Sequence, residues 1–249
     1  MSVAEQFFKL FKGSDIAHGT YVVSGNSRAT DGKKQGTAKV IREPTTVEMW
    51  QEHLKGGTGV GIIPIRSDNT CQWGAIDIDK YDIDHKKLVV TLRKNSIPAV
   101  VGRTKSGGAH VWIFLTEPIE AEEMQRRMTE LSASLGHSGS EIFPKQTTIL
   151  LDRGDTGNFL NMPYHNSNRS TRYAFDDDGS ALETEQFLAY AQQFVITPAE
   201  FRKLTMNCGV QQDLLEQGPP CLQHLCSKGF GEGSRNNALF NLGVYARMY

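Results

Sequence analysis

Cysteine is scarce in this chain: four residues in 249, at 71, 208, 221 and 226, too few for the disulfide framework of a small secreted domain. They are expected as reduced thiols, which points to a cytoplasm. No apolar run approaches the ~20 residues that a membrane span needs. The opening MSVAEQFFKLFKG mixes acid and base in an amphipathic helical pattern, unlike a secretory leader. Internal repeats and low-complexity tracts are also missing, which sets aside solenoid and disordered classes. Net charge is nearly absent at −1, so the chain lacks the global excess of Lys and Arg that marks many nucleic-acid binders.

The charge that is there is grouped locally. Acids gather at Asp77, Asp79, Asp82 and Asp84, and bases at Lys33, Lys34, Arg103, Lys105, Lys145, Arg153, Arg169 and Arg172. Between these groups the pattern alternates strands and helices. Strands are expected at Thr20 to Ser24, Gly59 to Ile65, Gln72 to Asp79, Pro98 to Gly102, Ala109 to Leu115, Glu141 to Phe143 and Thr148 to Leu151, with a polar loop over Ser24 to Gly36. Helices are expected at Thr45 to Lys55, stopped by Gly56-Gly57, at Asp84 to Asn95, and at 121–136, where Met124, Met128, Leu131 and Leu135 form one stripe. The order indicates an α+β domain with a mixed, largely antiparallel sheet and helices on one side. From Thr197 onward the pattern is helical. The expected division is a catalytic domain over 1–195 and a helical accessory segment over 196–249, cut from a longer protein.

One stretch carries chemistry openly: Trp73-Gly-Ala-Ile-Asp-Ile-Asp79. Side chains alternate along a strand, so Asp77 and Asp79 share one face. Two ionised carboxylates held side by side repel unless a cation compensates. Asp77 and Asp79 are therefore candidate metal ligands. A second stretch, Arg103-Thr-Lys-Ser-Gly-Gly-Ala-His110, puts a Gly-containing turn before a strand on which His110 shares a face with Trp112 and Phe114. Gly107 and Gly108 allow close backbone approach, and Arg103, Lys105 and Ser106 are donors suited to phosphate. In a third stretch, Glu141 opens a short strand with Lys145 just beyond it. Two other signals are discounted. Cys208, Cys221, His224 and Cys226 lack a standard zinc spacing, and Asp176-Asp-Asp-Gly179 reads as an exposed turn.

Ala75-Ile-Asp77-Ile-Asp79, Ser106-Gly-Gly-Ala-His110 and Ser140-Glu141-Ile142, in that order, resemble the archaeo-eukaryotic primase (AEP) superfamily, in particular the primase-polymerases of phages and mobile elements. Phe143-Pro-Lys-Gln146 and Gly157-Asn-Phe-Leu-Asn-Met-Pro163-Tyr164 look like the phage branch, and Glu232 to Asn237 like its helical tail. One departure is Gly108, where many relatives carry serine. The resemblance implies an AEP core with an RRM-like sheet, in the cytoplasm of a bacterial or archaeal host. It implies a DNA primase and polymerase that makes and extends primers for replication of a phage or mobile element. Asp77, Asp79 and Glu141 would be both the catalytic residues and the ligands of two Mg²⁺ or Mn²⁺ ions. His110 would contact the triphosphate, aided by Arg103, Lys105, Ser106, Gly107 and Gly108, with Lys145 and Asn158 as further nucleotide contacts. Partners implied are a single-stranded DNA template and primer, NTP or dNTP, and a helicase domain in the full-length protein or in trans, with no membrane. Two other classes stay open on the residues alone: a non-catalytic nucleic-acid-binding module of a replication initiator, and a metal-dependent nuclease.

Overall fold

The computed structural model describes residues 1–28, 34–206, 208, 219, 222–223 and 240–244. The chain divides into one compact unit over residues 1–209 and a second over 210–249. In the second, the amides of Leu222 and Gln223 donate to the Pro219 carbonyl, and Phe240 to Val244 are helical. The rest of the expected final helix, and Cys221, His224 and Cys226, lie outside the described residues.

The first unit contains α1 (Val3–Leu10), β1 (His18–Arg28), β2 (Lys34–Ile41), α2 (Val47–Lys55), β3 (Gly59–Ile62), β4 (Thr70–Ile78), α3 (His85–Lys94), β5 (Val100–Arg103), β6 (Ala109–Glu120), α4 (Ala121–Ser134), β7 (Glu141–Phe143), β8 (Leu160–Asn161), α5 (Thr184–Gln192), β9 (Val195–Ile196) and α6 (Pro198–Lys203). Local chemistry sets the helix ends. The Asp84 side chain accepts from the Lys87 amide at the start of α3, and Gly56 closes α2 at φ 89°, a backbone conformation natural to glycine.

Two antiparallel sheets form, ordered β5-β6-β4-β7 and β2-β1-β3-β8, with β9 added in parallel to β6. Alternation along the first sheet sorts its two faces. Ile76, Ile78, Val111 and Ile113 meet Leu88, Val89 and Leu92 of α3 and Met124, Met128 and Leu131 of α4. Trp73, Ala75, Trp112 and Phe114 face the other way, into a cluster with Phe7, Phe11, Trp50 and Phe187. Phe11 stands edge-on to Trp73, Trp112 and Phe114, with centroids 5.6, 5.8 and 5.2 Å away. Both faces of this sheet are thus covered, where helices on one side were expected.

Three other expectations change. The polar loop over Ser24 to Gly36 gives way to strand on both sides: β1 continues to Arg28 and β2 starts at Lys34, the residues between lying outside the described set. The strand over Gly59 to Ile65 ends at Ile62, after which the Ile63 carbonyl turns to the Ser14 amide at 2.8 Å. No strand forms at Thr148 to Leu151. There the Ile149 and Leu150 amides go to the side chains of Asn69 (2.8 Å) and Asp155 (3.1 Å), and Leu151–Arg153 is a 3₁₀ turn. Helix α6 belongs to the first unit, with Phe201 wholly buried in its core.

Candidate active site

The aromatic face of the first sheet ends where its polar residues begin. One residue past Trp112 and Ala75 in the alternation stand His110 on β6 and Asp77 on β4. Asp77 lies opposite His110 across one edge of its strand and opposite Glu141 across the other. Three chain segments far apart in sequence are therefore brought into one row by sheet register. The His110 Nε2 is 3.2 Å from Asp77 Oδ1, and the Trp112 ring stands edge-on to the imidazole. Asp79 follows two residues on, at the strand's exit.

The carboxylates feel one another. Burial first, and then the charges of Asp77 and Glu141, raise the Asp79 carboxyl above its ordinary range, with His110 and Lys145 opposing. Glu141 Oε2 is held by Lys145 Nζ at 2.6 Å. The loop carrying Lys145 is pinned to α4 by the Gln125 amide, which donates to the carbonyls of Pro144 (3.0 Å) and Lys145 (2.7 Å). Three oxygen donors with mutual repulsion suit a hard divalent cation. Among the described residues no three such donors already converge on one point; Glu141 would first have to exchange Lys145 for the ion.

Asp77 and Asp79 form a ridge between two hollows. On one side a cleft of about 230 Å³ is bounded by Arg103, Thr104, Lys105, Ser106, His110 and Arg172, among others. On the other, Lys80, His137 and Glu141 line a hollow of about 390 Å³. The expected phosphate donors Arg103, Lys105 and Ser106 thus open onto the same cleft as His110. Arg103 is fixed there by bonds from its Nη1 to the carbonyls of Thr104 (3.2 Å) and Thr171 (2.9 Å).

The two glycines have another use. The Gly107 amide donates to Thr104 within the turn at φ 99°, and a Cβ at Gly108 would drive into the Ile78 carbonyl. The Gly108 carbonyl accepts from the Thr104 amide at 2.9 Å and meets His85 Nε2 at 3.0 Å. The Gly107 amide is thus used within the turn, and serine has no room at position 108 here. Asn158 also stands apart: its side chain and amide engage Gln146. The asparagine that reaches the cleft is Asn161, on β8 opposite Gly61, together with Pro163 and Tyr21. Alternation along Leu160-Asn161 separates a buried side chain from a cleft-facing one, a signal within the motif already quoted.

The discounted signals resolve simply. Asp176 caps its own turn through the amides of Asp178 and Ser180, and Asp177 binds Arg93 at 2.6 Å. Cys208 is buried, with its thiol pushed up by burial.

A comparison with protein families matches residues 17–197 to the archaeo-eukaryotic primase domain of TOTE conflict systems. No curated protein matches. Solved structures that resemble the chain include the AEP domain of the cyanophage S-2L primase-polymerase, at 12% identity over 71% of this chain and 89% of that one, TM-score 0.38. The catalytic domain of primase RepB′ in complex with initiator DNA shares 13% identity over 77% and 91%, TM-score 0.33. Primase RepB′ itself shares 14% over 90% and 67%, TM-score 0.37. With the family match covering well over half of its length and the acidic row, the basic turn and the histidine all on one sheet end, the chain belongs to the archaeo-eukaryotic primase domain family of TOTE conflict systems.

Proposed function

We propose that this chain is a template-directed nucleotidyltransferase, acting on single-stranded DNA and a nucleoside triphosphate to make and extend primers. The observation that carries the reading is the register that sets Asp77 between His110 and Glu141, beside a cleft rich in phosphate donors. A Mg²⁺ or Mn²⁺ pair held by Asp77, Asp79 and Glu141 would supply Lewis-acid stabilisation of charge on the phosphoryl oxygens. The chain's own groups do the positioning. Asp77 orients the His110 imidazole, whose ring borders the cleft, and Arg103, Lys105 and Ser106 offer donors to the triphosphate. Lys145 holds Glu141 until a cation replaces it.

Catalysis is assigned to residues 1–195 and an accessory role to the helical stretch from 196, whose first helix, α6, packs within the first unit, with a helicase as a partner. The setting in phage or mobile-element replication stays part of the proposal; the matched family is described by conflict systems instead. The nuclease and the non-catalytic binder remain as alternatives, and one assay separates them. Wild type and Asp77→Ala/Asp79→Ala are incubated with single-stranded template, labelled nucleotides and Mg²⁺ or Mn²⁺. The expected outcome is template-dependent product from wild type only. Cleavage without synthesis would favour the nuclease, and strand binding without either would favour the binder.

A further inference from the structure

A second hollow of about 470 Å³ adjoins the nucleotide cleft, and the two share Tyr21, Lys105 and Arg172. Thr58, His165 and Arg169 belong to the second alone. Its charge is one-sided. Among the described residues no carboxylate lines it, although acids outnumber bases in the whole chain, 28 to 27. Nor do Lys105, Arg169 and Arg172 form an ion pair with any described carboxylate. Arg172 is half-buried, and burial lowers its basicity. A guanidinium withdrawn from water without a partner is costly unless an anion arrives.

The wall of this groove is built rather than loose. His165 Nε2 lies 2.8 Å from the Gly57 carbonyl, the Asn166 amide donates to His53 at 3.0 Å, and the Arg169 amide to Asn166 at 2.8 Å. The Arg172 carbonyl accepts from Tyr164 at 2.7 Å, so the segment bearing both arginines is fixed to α2 and the core. A preorganised wall loses little entropy when a ligand binds.

Cations mixed with hydroxyl and amide donors are the groups that contact phosphodiester oxygens. Continuity with the cleft favours a strand over a free phosphate, because one chain can occupy both hollows. At the junction the Tyr21 ring, with Lys105 Nζ 5.8 Å from its centre, offers a surface on which a base can stack. We propose that this groove holds the backbone of the single nucleic-acid strand leading away from the reacting nucleotide, with Arg169 and Arg172 as phosphate contacts. The proposal rests on the nucleotidyltransferase reading of the cleft, which gives the strand a reason to end there.

The test is fluorescence anisotropy of a short labelled single-stranded oligonucleotide across a salt series, without divalent ions. Arg169 is exposed and borders only the groove, so Arg169→Ala and Arg169→Glu spare both the core and the cleft. Arg169→Ala is expected to make the salt dependence shallower by about 0.7 in slope, and Arg169→Glu to weaken binding about tenfold. Affinity for a fluorescent nucleoside triphosphate should stay unchanged in both. Arg172→Ala, at the shared border, should lose in both assays. Unchanged strand affinity and slope in the Arg169 variants would overturn the proposal, as would an equal loss of triphosphate binding, which would make the groove a free-nucleotide site. Failure of the enzyme reading is separable: a wild type that binds the strand through Arg169 yet makes no product refutes catalysis and leaves the groove standing.

Discussion

At the scale of single residues, the buried His53 shows how the fold fixes the walls of the site. Its Nδ1 accepts from the Val60 amide at 2.9 Å, so Nε2 must carry the proton and donate to the Pro163 carbonyl at 2.8 Å. The ring is fully buried and thereby ties α2 to β3 and to the segment bordering the cleft. Burial holds its pKa down to about 3 from the ordinary 6.5. Below pH 6.5 the unfolded chain takes up a proton that the folded one refuses. Stability is therefore complete above that pH and falls by about 1.4 kcal/mol per pH unit toward pH 3. Denaturant titrations between pH 7 and 4 should show this slope, and His53→Ala should lose it while costing about 2 kcal/mol at pH 7. An unchanged slope in the variant would contradict this assignment. Alternation alone made Asp77 and His110 legible in the sequence, because each sits in a strand, and it placed Asp79 two residues on, just past the end of β4. Asn158 was named from its motif alone; that Asn161 lines the cleft was not legible, because it needed the position of a two-residue strand, set by pairing with β3 rather than by any local signal.

At the scale of elements, the β5–β6 hairpin and β4 are joined closely enough that glycine is required at 108. Gly108→Ser should destabilise the fold by about 1–3 kcal/mol, since the obstruction is the Ile78 backbone and not a yielding side chain. Thermal unfolding checks this; a variant as stable as wild type would mean that the hairpin can slide. The next contact outward is α3. Arg93 donates to the carbonyls of Ile97 and Ala99, each at 2.8 Å, and pairs with Asp177 at 2.6 Å. Helices α2, α3 and α4 were legible because their caps and apolar stripes are local. The expected strand at Thr148 to Leu151 was not, because the side chains of distant Asn69 and nearby Asp155 captured its amides.

At the scale of the whole molecule, the second sheet and the aromatic layer decide where the site can lie. They cover the Trp face of the first sheet as far as Trp112 and leave its end, with Asp77 and His110, facing a cleft. None of this is written in local periodicity: a strand buried on two faces reads like any apolar run, and the β1–β2 hairpin forms across residues that read as loop. Phe11→Ala should cost about 3–5 kcal/mol, measured by denaturation, because the ring contacts Trp50, Trp73, Trp112 and Phe114 at the centre of that layer. Among the described residues no helix is long and apolar enough to cross a membrane.

Sheet register makes one unit of acids drawn from two strands, and groups that act as a unit do not add. The decisive measurement is the single-turnover rate of nucleotide incorporation for wild type, Asp77→Asn, Glu141→Gln and the double variant. Each single change should remove nearly all activity, and the double should cost hardly more than either. Near-normal incorporation by Glu141→Gln, or losses that simply multiply, would show that Glu141 and Asp77 do not share a catalytic site.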